Sequence, residues 1–124
     1  MLKFTATECG SKVDHGTLIC GASNSNAKDA EWHSFIFMRA HRSLDDDSGP
    51  YFELDDQSQG FYNGVRSIVL ADRSMTIALA PPKNQLFGHR LIIVELACRD
   101  SQIAKFRAGI EHVFRDQLWR IRDA

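Results

Sequence analysis

The sequence has few of the features that mark disulfide-rich, secreted or membrane proteins. Its three cysteines, Cys9, Cys20 and Cys98, are odd in number and form no Cys-x-x-Cys pair, which favours reduced thiols over a disulfide framework. No apolar run approaches the roughly 18 residues that span a bilayer. The first residues alternate apolar and polar side chains and lack the long apolar stretch of a signal peptide. We therefore expect a cytoplasmic protein with no membrane span.

An excess of charge of one sign is also missing. The formal net charge is -1, so the chain has no general positive field to attract a phosphate backbone. Nucleic acid is therefore not expected as a partner. With 124 residues and 44% hydrophobic residues, the chain can form one core but is too short for two. We expect a single domain, residues 1–124, that folds without a metal.

Motifs of catalysis and metal binding are absent from the sequence. Gly-x-Ser-x-Gly and the glycine-rich phosphate-binding loops do not occur. No His-x-His or His-Glu-x-x-His pair is formed by the five scattered histidines, which are His15, His33, His41, His89 and His112. These absences favour a protein with no cofactor and no enzymatic activity. Folding can still bring a Ser or Cys beside a base, so catalysis remains an alternative.

Apolar and polar residues alternate along much of the chain, which predicts strands. Residues 2–6 form the first, and residues 17–22 form a second that pairs antiparallel with it. Residues 32–38 are apolar on both alternating faces, which is typical of a central strand. The polar segments 23–29 and 41–50 are predicted to be exposed loops.

Further strands are predicted in the middle of the chain. Residues 51–55 and 61–62 are short strands, and the Asn63-Gly64 turn separates them from a hairpin. This hairpin joins residues 65–70 to 75–79 and stops at Pro81-Pro82, which removes two backbone donors. The β-branched run 91–97 has the composition of a covered strand.

The end of the chain has helical periodicity. Asp100 or Ser101 is the expected N-cap, and Arg107, Glu111 and Arg115 are expected on the exposed side. The apolar stripe needs a sheet face to cover it. The predicted fold is therefore α+β, a mostly antiparallel sheet of about six to seven strands packed against one long C-terminal helix. The stripe consists of Ile103, Phe106, Ile110, Val113, Phe114, Leu118 and Ile121.

Five carboxylates are the candidate partner-binding residues, and they are chosen on charge alone: Asp45, Asp46, Asp47, Glu53 and Asp55. An acidic patch attracts a basic partner and accelerates association. In a strand Glu53 and Asp55 share one face, so two other interpretations stay open, an acid/base pair and a solvated face.

Three stretches resemble the bacterial immunity protein 10 family, residues 35–39, 51–65 and 103–114. In that family an aromatic strand precedes a Tyr-x-Gly turn, a β-hairpin and a closing helix with a Leu-Arg-x-Gly-Leu-like core. Here Tyr62-Asn-Gly64 and Phe106-Arg-Ala-Gly-Ile110 occupy those positions. The resemblance implies a protein that binds and neutralises a cognate polymorphic toxin, without cofactor or turnover. It identifies neither the toxin nor the interface.

Two other functions compete with toxin binding. One is a small-molecule site between helix and sheet, lined by phenylalanines and by Trp32 or Trp119. The other is a dimerisation module that uses an edge strand or residues 118–121. A homodimer is also compatible with toxin binding.

Overall fold

Two five-stranded sheets and one α-helix make up the computed structural model, which describes residues 1–24, 31–42, 47–81 and 88–124. Helix α1 spans Asp100–Val113. The strands are β1 (Leu2–Ala6), β2 (Glu8–Asp14), β3 (Thr17–Ser23), β4 (Ser34–Ala40), β5 (Tyr51–Leu54), β6 (Gly60–Tyr62), β7 (Val65–Leu70), β8 (Ser74–Leu79), β9 (Leu91–Leu96) and β10 (Ile121–Asp123).

The first sheet, called the meander sheet here, contains β2 to β6 in sequence order, all antiparallel. His15 and Gly16 join β2 to β3 with φ angles of 49° and 80°. Positive φ at both residues of a two-residue turn matches the twist of the flanking strands. Strand β4 lies in the middle, as its apolar sequence predicts.

The second sheet, called the mixed sheet, has the order β1-β9-β8-β7-β10. Its three central strands are antiparallel, whereas each edge strand pairs parallel with its neighbour. Between Val65 and Ser67 a bulge displaces the register of β7. The hairpin predicted for residues 65–79 is confirmed.

Helix α1 packs on the inner face of the meander sheet. The ring of Phe106 lies 6.0 Å from that of Phe35, and the ring of Phe114, just beyond the helix, lies 5.8 Å from that of Phe37. One continuous hydrophobic core joins the helix to the inner faces of both sheets. In the described ranges, no helix combines the length and apolarity needed to cross a bilayer.

The α+β class is confirmed, but the number of strands, the partner of β1 and the bounds of the helix differ from the prediction. The described residues form ten strands in two sheets, where six to seven in one sheet were expected. Strand β1 does not pair with residues 17–22; its partner is β9, and β2 takes the predicted place beside β3. Strand β2 was not predicted because its inward face includes a polar residue, which interrupts the apolar alternation. This residue is Ser11, whose hydroxyl donates to the Lys105 carbonyl of the helix.

The helix is shorter than its periodicity indicates. It ends at Val113, and Ile121 owes its apolar character to its place on the inner face of β10. Leu118 is 52% exposed, so its helical spacing is coincidental. The N-cap position belongs to Arg99, whose backbone N–H donates to the Gln102 side chain, and not to Asp100 or Ser101.

Candidate functional site

The predicted acidic patch divides into carboxylates with different surroundings. Asp45 and Asp46 lie outside the described residues. Asp47 has a side chain only 13% exposed and accepts a hydrogen bond from Arg39 Nε at 2.8 Å. Its carboxylate also lies 3.6 Å from Arg115 Nη2. Asp47 is therefore held in an internal ion-pair cluster.

Arg39 is the centre of this cluster. Its Nη1 and Nη2 donate to Asp116, and Nη1 also donates to the Val113 carbonyl at 2.9 Å. Burial works to raise the pKa of Asp47, but the Gly49 N–H and the Arg39 guanidinium outweigh it and hold the pKa below its usual value. The cluster connects β4 to the end of the helix, which is a structural role.

Asp55 lies just beyond β5, with a φ of 65°. Its carboxylate accepts from the Ser34 N–H at 3.1 Å and lies 3.2 Å from His33 Nδ1. Phe4 covers the imidazole, with ring centroids 5.4 Å apart. A carboxylate beside a half-buried imidazole orients the ring. Asp55 thus has partners within the fold, and the backbone turn separates it from the face of Glu53.

Glu53 is the predicted residue that faces outward on the meander sheet. Its Oε1 accepts a hydrogen bond from the Tyr51 hydroxyl at 2.9 Å. Burial, followed by the neighbouring carboxylate, raises the pKa of Tyr51 to about 12, so the phenol keeps its proton at neutral pH. The pair fixes the direction of the Tyr51 ring on the sheet surface.

One row of side chains crosses the outer face of all five meander strands. We call it the tyrosine row, and it consists of Lys12, Ile19, Met38, Tyr51 and Tyr62, placed side by side by the strand register. The two tyrosine rings lie 5.1 Å apart. With neighbouring strands about 4.8 Å apart, the row is about 19 Å long.

A glycine makes room for the flat position of Tyr51. A Cβ at Gly60 would lie 1.8 Å from the Tyr51 hydroxyl oxygen, closer than any real contact. The ring therefore lies across β6 because residue 60 has no side chain. Tyr62, beside it, is 55% exposed. The row therefore presents two tyrosine rings to solvent, the fixed ring of Tyr51 and the more exposed ring of Tyr62.

Scans of this chain against protein-family models, curated proteins and solved structures find no match. The residues themselves must therefore support any functional interpretation. Within the described ranges, no three His, Cys, Asp or Glu side chains are grouped to hold a metal ion.

The cysteines are packed into the core. All three are buried and free of disulfides. Burial, with a smaller contribution from Cys98, raises the pKa of Cys9 to about 12, and burial alone does the same for Cys20. Because the thiolate is the nucleophile, these two thiols are unreactive near neutral pH.

The small-molecule alternative placed phenylalanines around a pocket. The seven phenylalanines that the structure describes lie in the core, with neighbouring phenylalanine rings 5.1 to 6.2 Å apart. Trp32 and Trp119 are 52% and 73% exposed, so neither lines an interior cavity.

Sequence reasoning missed the tyrosine row. Each member was visible as the outward residue of an alternating strand, but five strands must be aligned before the members become neighbours. The tight turn at His15 and Gly16 fixes only one of the four alignments, that of β2 with β3. Charge drew attention to Glu53, which lies beside the row, and not to the aromatic residues.

Proposed function

We propose that this chain is an immunity protein that binds a cognate toxin through the outer face of its meander sheet and neutralises it by covering its active surface. The observation that supports this most is the tyrosine row, in which aromatic, methionine and isoleucine side chains cross an outward sheet face together. The resemblance in residues 35–39, 51–65 and 103–114 points to the same function, and two of these stretches contribute to the row.

The chemistry of the row suits a protein partner. Tyrosine and methionine are enriched at protein interfaces, and aromatic anchors provide much of the binding energy. Tyr51 is already held by Glu53 and by the space above Gly60, so little rotamer entropy is lost on binding. Met38 can adapt its shape to the partner surface.

The two sides of the outer face of the meander sheet carry opposite charges. Lys12 ends the row at β2, whereas Glu53 takes the next outward position after Tyr51 on β5. A basic group on the toxin is expected to approach Glu53, whose second oxygen is available beside the bond from Tyr51. Asp45 and Asp46, in the segment between β4 and β5, would add to the attraction for a basic partner.

Co-expression with the protein encoded beside its gene tests this proposal. We expect the intact chain to restore growth of cells that make that protein and to co-purify with it. Tyr62→Ala should lower the affinity at least 30-fold, about 2 kcal/mol, the usual cost of an interface hot spot. Thr5→Ala on the mixed sheet is the matched control and should bind normally.

Two results would count against the proposal. If the intact chain neither restores growth nor co-purifies, the function is wrong. If it does both but Tyr62→Ala and Met38→Asp bind as tightly as the intact chain, the toxin is bound elsewhere. Thermal unfolding of both variants shows whether they remain folded.

A further inference from the structure

The outer face of the mixed sheet is a second binding surface, and we infer that it takes an extended, carboxylate-rich segment of a partner protein. We call it the arginine face. Its cationic members are Lys3, Arg66, Arg90, Arg120 and Arg122. This inference does not depend on toxin binding, which uses the opposite sheet.

Strand register places cations at both edges of this face. The row that crosses all five strands consists of Lys3, Ile93, Thr76, Val69 and Arg122. Five strands span about 19 Å from the first to the last, so a positive charge lies at each end of a β-branched centre. An extended peptide rises about 3.3 Å per residue, so about six residues would join the two edges.

The bulge in β7 turns Arg66 to the outer face, on the strand beside the edge strand β10. It lines two adjoining grooves, of about 440 and 410 Å³, and both also include Ala78. Met1, Leu91 and Arg90 line the first groove, which makes it apolar with a cationic rim. Trp119, Arg120 and Arg122 line the second. The two grooves meet at Arg66 and Ala78, which line both of them.

Three arginines of this face lack the carboxylate partners that other arginines of the chain have. Arg39, Arg73, Arg107 and Arg115 each lie beside a carboxylate. Within the part of the chain that the structure describes, no carboxylate lies at ion-pair distance from Arg66, Arg90 or Arg122.

Among the described residues, one carboxylate shares the arginine face. Glu95 is paired with Ser74 and Thr5 in the sheet register. Five cations against one carboxylate leave a strong local excess of positive charge on a chain whose net charge is -1. Positive charges gathered on one face repel one another unless a counter-charge is present. A ligand with several carboxylates would supply that counter-charge.

An acidic polypeptide fits this face better than other anions. Arginine guanidinium groups bind carboxylates through two parallel hydrogen bonds, which gives direction as well as charge. Ile93, Val69 and Leu91 would contact the alternate side chains of an extended segment. Arginine and tryptophan together are among the residues most enriched at interface hot spots.

A nucleic acid strand is a poorer fit. Single-stranded nucleic acids stack successive bases on several aromatic rings along a basic groove. Trp119 is the aromatic residue that lines these grooves in the described structure, and the Arg120 guanidinium lies over its ring at 4.1 Å. That ring face is therefore already covered, and the described lining residues offer no second ring beside it.

Titration with a defined peptide tests the inference. A capped hexaglutamate peptide, added to the full chain at low salt, should change the fluorescence of exposed Trp119 and bind with a salt-dependent affinity. Capped hexaglutamine, of the same length without charge, should not bind. Arg66→Gln together with Arg122→Gln should weaken hexaglutamate binding at least tenfold, whereas Arg42→Gln, beyond β4 of the other sheet, should leave it unchanged.

Three outcomes would overturn the inference. They are no binding of hexaglutamate, equal binding by the double variant, and tighter binding of a six-nucleotide single-stranded DNA than of the peptide. Sedimentation of the free chain adds a fourth, because a dimer that dissociates in the double variant would show that a second copy covers this face. Toxin neutralisation by the double variant should be normal, so failure here leaves the proposed function standing.

Discussion

Arg39 forms a bidentate ion pair with Asp116, in which Nη1 donates to Oδ1 at 2.6 Å and Nη2 donates to Oδ2 at 2.9 Å. Its Nε binds Asp47 at 2.8 Å on the other side. The Arg39 side chain is only 7% exposed. One residue of the central meander strand thus joins two segments that are remote in sequence, the one before β5 and the one after α1.

Replacing Arg39 should lower the free energy of unfolding. In Arg39→Met, Asp47 keeps its place in the fold without its main counter-charge, and the Val113 carbonyl loses its donor. We expect a loss of about 3 kcal/mol in the free energy of unfolding, measured by urea denaturation. Arg73→Met is the control, because its ion pair with Asp100 is exposed and should be worth less than about 1 kcal/mol. A loss of less than about 1 kcal/mol in Arg39→Met would show that the cluster contributes little to stability.

Acid should weaken the same cluster. The Arg39 guanidinium holds the pKa of Asp116 below its usual value, and the pKa of Asp47 is lowered as well. A lowered pKa in the folded state means that the stabilisation is complete above the unfolded value, about 3.9, and is lost as the pH falls through the folded value. Urea denaturation between pH 5 and pH 2 should show this loss, and Asp47→Asn should show a shallower one. An equally steep loss in that variant would exclude Asp47 as a cause.

The buried thiols should react slowly. With pKa values of about 12, Cys9 and Cys20 have about one thousandth of the thiolate of a free cysteine at pH 8. A chromogenic disulfide reagent should therefore modify Cys98→Ser protein at least 100-fold more slowly in the native state than in 6 M guanidinium. Rapid modification of the native variant would mean that the core opens around them.

Close packing at Gly109 sets a limit on helix substitution. A Cβ there would lie 2.8 Å from Ser11 Cβ and 3.1 Å from Cys20 Cβ, both fixed to strands. Gly109→Ala gains about 1 kcal/mol in helix propensity but overpacks this contact by about 1 to 3 kcal/mol, so we expect a net loss of about 1 kcal/mol. Gly10→Ala, with no atom within 4 Å, should be neutral or slightly stabilising. Thermal unfolding separates the two, and a more stable Gly109→Ala would show that the helix can move away.

The elements that the sequence predicted well depend on local signals. The hairpin of β7 and β8 has clean alternation around a short turn, and β9 is a β-branched run, so both were found. The details that the sequence did not predict depend on contacts between residues that are far apart in the chain. Nothing local to Leu2 indicates that its neighbour is Ile92, and Ile121 continues the helical spacing only by coincidence.

The candidate sites show the same division. Acidic residues are visible as a run, but the ion pairs of Asp47 depend on Arg39 and Arg115, which sequence distance separates from it. The row formed by Met38, Tyr51 and Tyr62 likewise depends on register. Charge composition therefore identified candidate residues without showing whether their partners lie inside the fold.

The parallel edges of the mixed sheet also determine the order in which the protein can be built. The five meander strands are consecutive in sequence, so they can pair on the ribosome before β7 to β10 are synthesised. Strand β1, made first, must wait for a partner 90 residues later, since Leu2 lies beside Ile92. Strand β10 reaches β7 only when Asp123 has left the exit tunnel. The meander sheet therefore needs no residue beyond Tyr62, whereas the mixed sheet stays open at both edges of the nascent chain until β9 and β10 have been synthesised.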